Sequence, residues 1–96
     1  MNIAIVDDVQ TDLDVLFLAV QTYYQNRQIM VQIHSFTSPA AFKKAYTPGK
    51  YDLIFLDIYM DQTNGMDIAT HIREANDSCA LIFVTSSDAF AVASYD

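Results

Sequence analysis

Leu53-Ile54-Phe55-Leu56 runs four large apolar side chains, without alternation, into the single carboxylate of Asp57. A strand buried on both faces reads this way, because neither side of its pleat meets water. An isolated carboxylate inside such a core is very costly. Asp57 is therefore predicted at the strand's end, where the chain leaves the sheet. The same form recurs twice. Ile3-Ala4-Ile5-Val6 runs into Asp7-Asp8, and Leu81-Ile82-Phe83-Val84 runs into Thr85-Ser86-Ser87. If the three strands are parallel neighbours, these polar groups collect along one sheet edge. That edge, beyond the carboxyl ends of the strands, is where open α/β sheets bind ligands.

The intervening segments read as helices. The first strand is expected over 2–6. A helix follows from about Thr11 to Gln25, with Leu13, Leu16, Phe17, Val20 and Tyr24 as its core stripe and Val15 and Leu18 off it. Asp12 and Asp14 fall in its first turn, where acidic side chains suit the helix dipole. A second, weakly patterned strand is expected over 30–35. Ser38-Pro39 supplies an N-cap and a proline at the first helical position, and Phe42, Ala45 and Tyr46 point inward from that short helix. Thr47-Pro48-Gly49-Lys50 is a turn. After the third strand, 53–57, a loop ends at Asn64-Gly65, and a helix from about Met66 to Ala75 packs through Ile68, Ala69 and Ile72. The fourth strand is about 80–84. A last helix is predicted from near Asp88, with Phe90 and Ala93 as core contacts. Strands alternating with helices imply one α/β domain over 1–96, a doubly wound parallel sheet with right-handed crossovers. The order 2-1-3-4 of that fold class, assumed rather than read from residues, sets the first, third and fourth strands side by side.

Composition narrows the function. With 96 residues and 52% hydrophobic content, the chain can build one real core and is not a disordered segment. The apolar runs are too short to cross a bilayer, and the amino terminus carries no basic leader. The lone Cys79 rules out an internal disulfide and suits a reducing compartment; it is read as a small buried hydrophobe. A net charge of -7 argues against direct binding of nucleic acid by this domain, and Lys43-Lys44 is read as a solvated helix face.

Three carboxylates converging on one point repel each other, and at least one should have its pKa raised. A divalent cation relieves that repulsion. Oxygen-only ligands select a hard ion, and Mg2+ is usually held by a few carboxylates, waters and phosphate. A carboxylate beside such an ion can attack a phosphoryl group to form an aspartyl phosphate, with Thr85 and Ser86 offering hydrogen bonds to its oxygens. The bland alternative is that the aspartates only cap helices and the Thr-Ser-Ser run only ends a strand. Other chemistries lack their residues. Two glycines, Gly49 and Gly65, cannot build a Gly-rich phosphate loop. A haloacid-dehalogenase-like phosphatase would want two aspartates one residue apart. No serine sits in a nucleophile elbow. His34 falls on or near a strand and His71 on a helix face; Asp67 and His71, one turn apart, would suit a metal pair but are read as a surface contact.

Asp7-Asp8, Asp57 and Thr85 after strands one, three and four resemble the receiver domain of two-component response regulators. Asp57-Ile58-Tyr59-Met60 followed by Asn64-Gly65-Met66 resembles that family's phosphorylation loop, and the stretch from Ile82 to Tyr95 looks like the variety joined to LytTR-type DNA-binding domains. The resemblance implies a CheY-like (flavodoxin-like) order 2-1-3-4 and a phosphoacceptor rather than an enzyme. It implies that Asp57 takes a phosphoryl group from a sensor histidine kinase. Asp8, Asp57 and the backbone carbonyl of Tyr59 would bind Mg2+ directly and Asp7 through water, with Thr85 as the switch hydroxyl. It also implies a cytoplasmic signalling protein with transcriptional output through a separate domain. A receiver-like interaction module that is never phosphorylated is the rival, and an Mg2+-dependent phosphatase a third reading. Two departures stand out. Asp61 replaces a common proline. The family's fifth strand, with its lysine and aromatic residue, and its fifth helix would need roughly 20 further residues, so the fold is expected to stop before strand five. The fourth strand would then be a bare edge, able to pair with a second copy as a homodimer.

Overall fold

The computed structural model describes residues 1–60, 64–85 and 91–95. The elements are β1 (Asn2–Val6), α1 (Gln10–Asn26), β2 (Gln32–Phe36), α2 (Pro39–Ala45), β3 (Leu53–Asp57), α3 (Gly65–Glu74), β4 (Ala80–Thr85) and β5 (Ala91–Tyr95). They form one sheet in the order β2-β1-β3-β4-β5. The first four strands are parallel, as expected from the alternation of strands and helices. Val6 lies opposite Leu56 and Phe36, and Asp57 lies opposite Val84.

The unbroken apolar runs are explained by two cores, one on each face. Ala4, Val6, Ile54, Leu56, Leu81 and Phe83 point to the side where Phe42 and Tyr46 and the α3 residues Ile68, Ala69 and Ile72 pack. Ile3, Ile5, Leu53, Phe55 and Val84 point to the side covered by Leu13, Leu16 and Val20 of α1. Each fully buried large aliphatic side chain contributes roughly 1.5–3 kcal/mol. Val15 and Leu18 are exposed and off the stripe, as read from the periodicity. Ser38 caps α2, its Oγ accepting from the Ala41 amide at 3.2 Å. Cys79 is buried and free. The second strand begins two residues later than its pattern suggested: Met30 is 90% exposed and precedes it.

The carboxyl-terminal segment departs from expectation. The predicted last helix is replaced over 91–95 by a strand antiparallel to β4, with Thr85 opposite Ala91, Phe83 opposite Ala93 and Leu81 opposite Tyr95. Ala93 is thus a strand residue, and Phe90 lies outside the described residues. Alanine favours helix locally, but a free β4 edge offers a row of unpaired backbone donors and acceptors. A short connection suffices for an antiparallel neighbour, whereas a parallel one needs a crossover of a dozen or more residues. The edge on which a homodimer was expected is therefore already paired within the chain.

Candidate functional site

The sheet ladder delivers the acidic groups to one point. The Asp7 amide donates to the Phe36 carbonyl at 3.0 Å, extending the β1–β2 pairing one residue past β1. β3 ends on Asp57, and the next amide, Ile58, donates to Val84 of β4 at 3.2 Å. Asp7, Asp8 and Asp57 each bring a carboxylate oxygen within 4.8 Å of the others. The strand-end placement of Asp57 agrees with the sequence, but proximity to solvent does not follow from it: Asp57 is 1% exposed and Asp7 is 2% exposed. Asp8 is half-buried.

Among the described residues, hydrogen bonding leaves Asp57 short of donors. Asp57 Oδ1 accepts from the Tyr59 amide at 3.2 Å, and Asp7 Oδ1 accepts from the Val9 amide at 3.0 Å. Asp57 Oδ2 is buried with no hydrogen-bond partner among the described residues. Burial, then the negative charge of Asp7, pushes the Asp57 carboxyl up to about 7, against the weaker help of the Tyr59 amide. Burial also raises Asp7, against the opposing Val9 amide, and the charges of Asp12 and Asp8 add to the rise. The cap reading for these aspartates fails at α1, whose N-cap is Val9 with no side-chain cap bond.

The loop after Asp57 is pinned at both ends. Tyr59 and Asn64 form an antiparallel bridge, and the Gly65 amide donates to the Ile58 carbonyl at 3.0 Å. Asn64 Oδ1 caps α3 by accepting from the Met66 amide at 2.8 Å. Ile58 and Met60 rest against the core, while Tyr59 is 67% exposed. Asp61, the position of the family's common proline, lies outside the described residues. So do Ser86 and the hydroxyl of Thr85, whose backbone closes β4 beside the acidic cluster.

A third buried acid, Asp77, was not singled out by its sequence context. It sits at the opposite, amino-terminal end of the parallel strands, just before Cys79. Its Oδ2 accepts from the Tyr46 hydroxyl at 2.7 Å and the Gly49 amide at 3.2 Å, and its Oδ1 accepts from the Cys79 amide at 3.0 Å. The Arg73 guanidinium donates to its carbonyl at 2.6 Å. Burial alone would raise this carboxyl, but the Tyr46, Gly49 and Cys79 donors outweigh it and hold Asp77 below its ordinary value. Burial and the Asp77 bond in turn raise the Tyr46 hydroxyl. Its partners lie up to 31 residues away in sequence, so no local pattern announces them.

A doubly wound sheet with three acids gathered beyond its carboxyl ends defines a receiver-type domain. Residues 3–95 match the model of the response regulator receiver domain, and the chain belongs to that family. It is 39% identical over 46 residues to the sensory transduction protein LytR of Staphylococcus saprophyticus, a match covering 48% of this chain and 18% of that protein. It is 34% identical over 47 residues to the transcriptional regulatory protein LytR of Staphylococcus aureus, covering 49% and 19% of the two chains. The matched segment is thus under a fifth of the length of these curated relatives. Among solved structures, MaeR bound to beryllium trifluoride superposes with a TM-score of 0.70 at 26% identity, covering 93% of this chain and 70% of that one. TrrA from Thermotoga maritima, in complex with Mg2+ and a beryllium fluoride, gives 0.72 at 27% identity, covering 91% and 70%. Among the described residues, no helix is long and apolar enough to cross a membrane.

Proposed function

We propose that this receiver domain is a phosphoacceptor, with Asp57 taking a phosphoryl group from the phosphohistidine of a sensor histidine kinase. The observation that carries the reading is the buried, unpartnered Asp57 Oδ2 inside a cluster of three carboxylates. Such a group is expensive to keep unless something binds it. The donor set is entirely oxygen, which fits a hard divalent cation, Mg2+ by its usual preference for a few carboxylates and phosphate. Asp8, Asp57 and the backbone carbonyl of Tyr59 would hold the ion directly, and Asp7 through water. When bound, the ion neutralises the carboxylates and the equatorial phosphoryl oxygens.

The chain's own residues supply the rest. Asp57 must be ionised to attack, so its carboxyl loses the proton that burial and Asp7 favour. One of its oxygens forms the new bond to phosphorus as the bond from phosphorus to the histidine nitrogen breaks. The departing imidazole takes the electron pair, and the product is an acyl phosphate on Asp57. The Tyr59 amide keeps the carboxylate oriented through Oδ1. Thr85, the last residue of β4, and Ser86 after it would donate hydrogen bonds to the transferred group. The likeness to the transcriptional regulatory protein LytR of Staphylococcus aureus supports a cytoplasmic role upstream of gene expression, exerted through a DNA-binding output domain.

Incubation with acetyl phosphate and Mg2+ tests this. Intact mass spectrometry should show one added phosphoryl group, lost without Mg2+ and in Asp57→Asn. Labelling that persists in Asp57→Asn would place the acceptor elsewhere.

A further inference from the structure

Gly65 opens α3, yet it has no positive φ to accommodate and no turn to make; what it lacks is room. A Cβ built on it would run into the backbone carbonyl oxygen of Asp57, and would lie 3.1 Å from the Asp57 carbonyl carbon and 3.2 Å from Ile58 Cα. The first turn of α3 therefore bears directly on the main chain of the acidic strand end. The contact is backbone against backbone, with no side chain able to swing aside. The surrounding bonds stiffen it. The Gly65 amide holds the Ile58 carbonyl, and the Ile58 amide holds Val84 of β4. The Asp57 main chain is thus clamped between α3 on one side and β4 on the other.

We infer that Gly65 is a positioning residue for Asp57: its missing side chain lets α3 fix where the carboxylate stands relative to Asp7 and Asp8. This rests on the phosphoacceptor reading for its effect on rate, though not for its effect on geometry. An alanine must push the Asp57–Ile58 segment or α3 away by on the order of 1 Å to restore ordinary van der Waals separation. A misplacement of that size can cost on the order of a hundredfold in rate. The Tyr59 amide, bonded to Asp57 Oδ1 at 3.2 Å, reports the same displacement in the unmodified protein.

Gly49 provides the control. Its φ is +82° and nothing lies within 4 Å of its built Cβ, so Gly49→Ala strains the backbone at the far end of the sheet without touching the acidic edge. Gly65→Ala and Gly49→Ala should be compared in the full chain, well below both melting temperatures. Two readouts are needed: the acetyl phosphate labelling rate at saturating Mg2+, and the Tyr59 amide resonance without metal. Gly65→Ala should slow labelling by tenfold or more and move the Tyr59 resonance. Gly49→Ala should lower Tm and change neither. If the wild type is not labelled but Gly65→Ala alone displaces the Tyr59 signal, the positioning role stands and the phosphoacceptor reading falls. If Gly65→Ala leaves the Tyr59 resonance where it was, or the two variants shift it alike, the inference is overturned.

Discussion

Asp57 and Asp77, two of the three buried aspartates among the described residues, stand at opposite ends of the parallel strands of one sheet. Asp57 is 1% exposed and Asp77 is 8% exposed, so both are removed from water. Asp77 is met by three donors, and its carboxyl is held below the ordinary value. Asp57 is met by one amide, faces two other acids and is pushed up to about 7. Burial is common to both; the supply of donors is what differs. A carboxylate whose hydrogen bonds are completed ties loops together, here 47–50 to 76–79. One left incomplete carries a cost that a ligand can relieve.

The comparison breaks most readily at Asp77. Asp77→Asn puts an amide NH2 among groups that all donate, and should destabilise the fold by about 2–4 kcal/mol in denaturant unfolding. Asp57→Asn should act in the other direction. In metal-free buffer at pH 7.5 it removes a repelled charge and should stabilise by about 1–3 kcal/mol. A destabilised Asp57→Asn would mean that the acid is structural after all. The pH dependence carries the same contrast. With Asp57 at about 7 folded against an ordinary 3.8, the folded state keeps a proton that the unfolded chain has lost. Metal-free stability from this group should fall as pH rises from about 4 to 7, then level off. Asp77 has the opposite sign: its contribution is complete above 3.8 and is lost as pH falls through its lowered folded value. Asp57→Asn should flatten the slope between pH 4 and 7, leaving the part that comes from the raised Asp7, and leave the acid limb. The smallest effect belongs to Tyr46→Phe, which removes one of the three donors to Asp77. It should cost about 1 kcal/mol and leave acetyl phosphate labelling unchanged.

What the sequence disclosed follows the same division. Asp7, Asp8 and Asp57 were legible because each ends an apolar run, and a parallel sheet carries such run-ends to a common edge. The Asp77 latch was not, because Tyr46 and Gly49 approach it only after α2, β3 and α3 have folded around it. The close contact of Gly65 with Asp57 was equally hidden, since Asn64-Gly65 reads locally as a loop end and helix cap. At the carboxyl terminus, Ala91 and Ala93 favour helix by themselves. Pairing with β4 outweighs that preference: the bare β4 edge was legible in the sequence, but local propensity does not show that residues 91–95 fill it.

The most direct measurement is a carboxyl-carbon NMR titration of Asp57 and Asp77 in one sample, with and without Mg2+. Asp57 should titrate near 7 in the absence of metal and fall by a unit or more when Mg2+ is added. Asp77 should titrate below 3.8 and ignore the ion. An Asp57 that titrates as an ordinary carboxylate and does not respond to Mg2+ would contradict the claim that its unpartnered oxygen is held in readiness for a ligand.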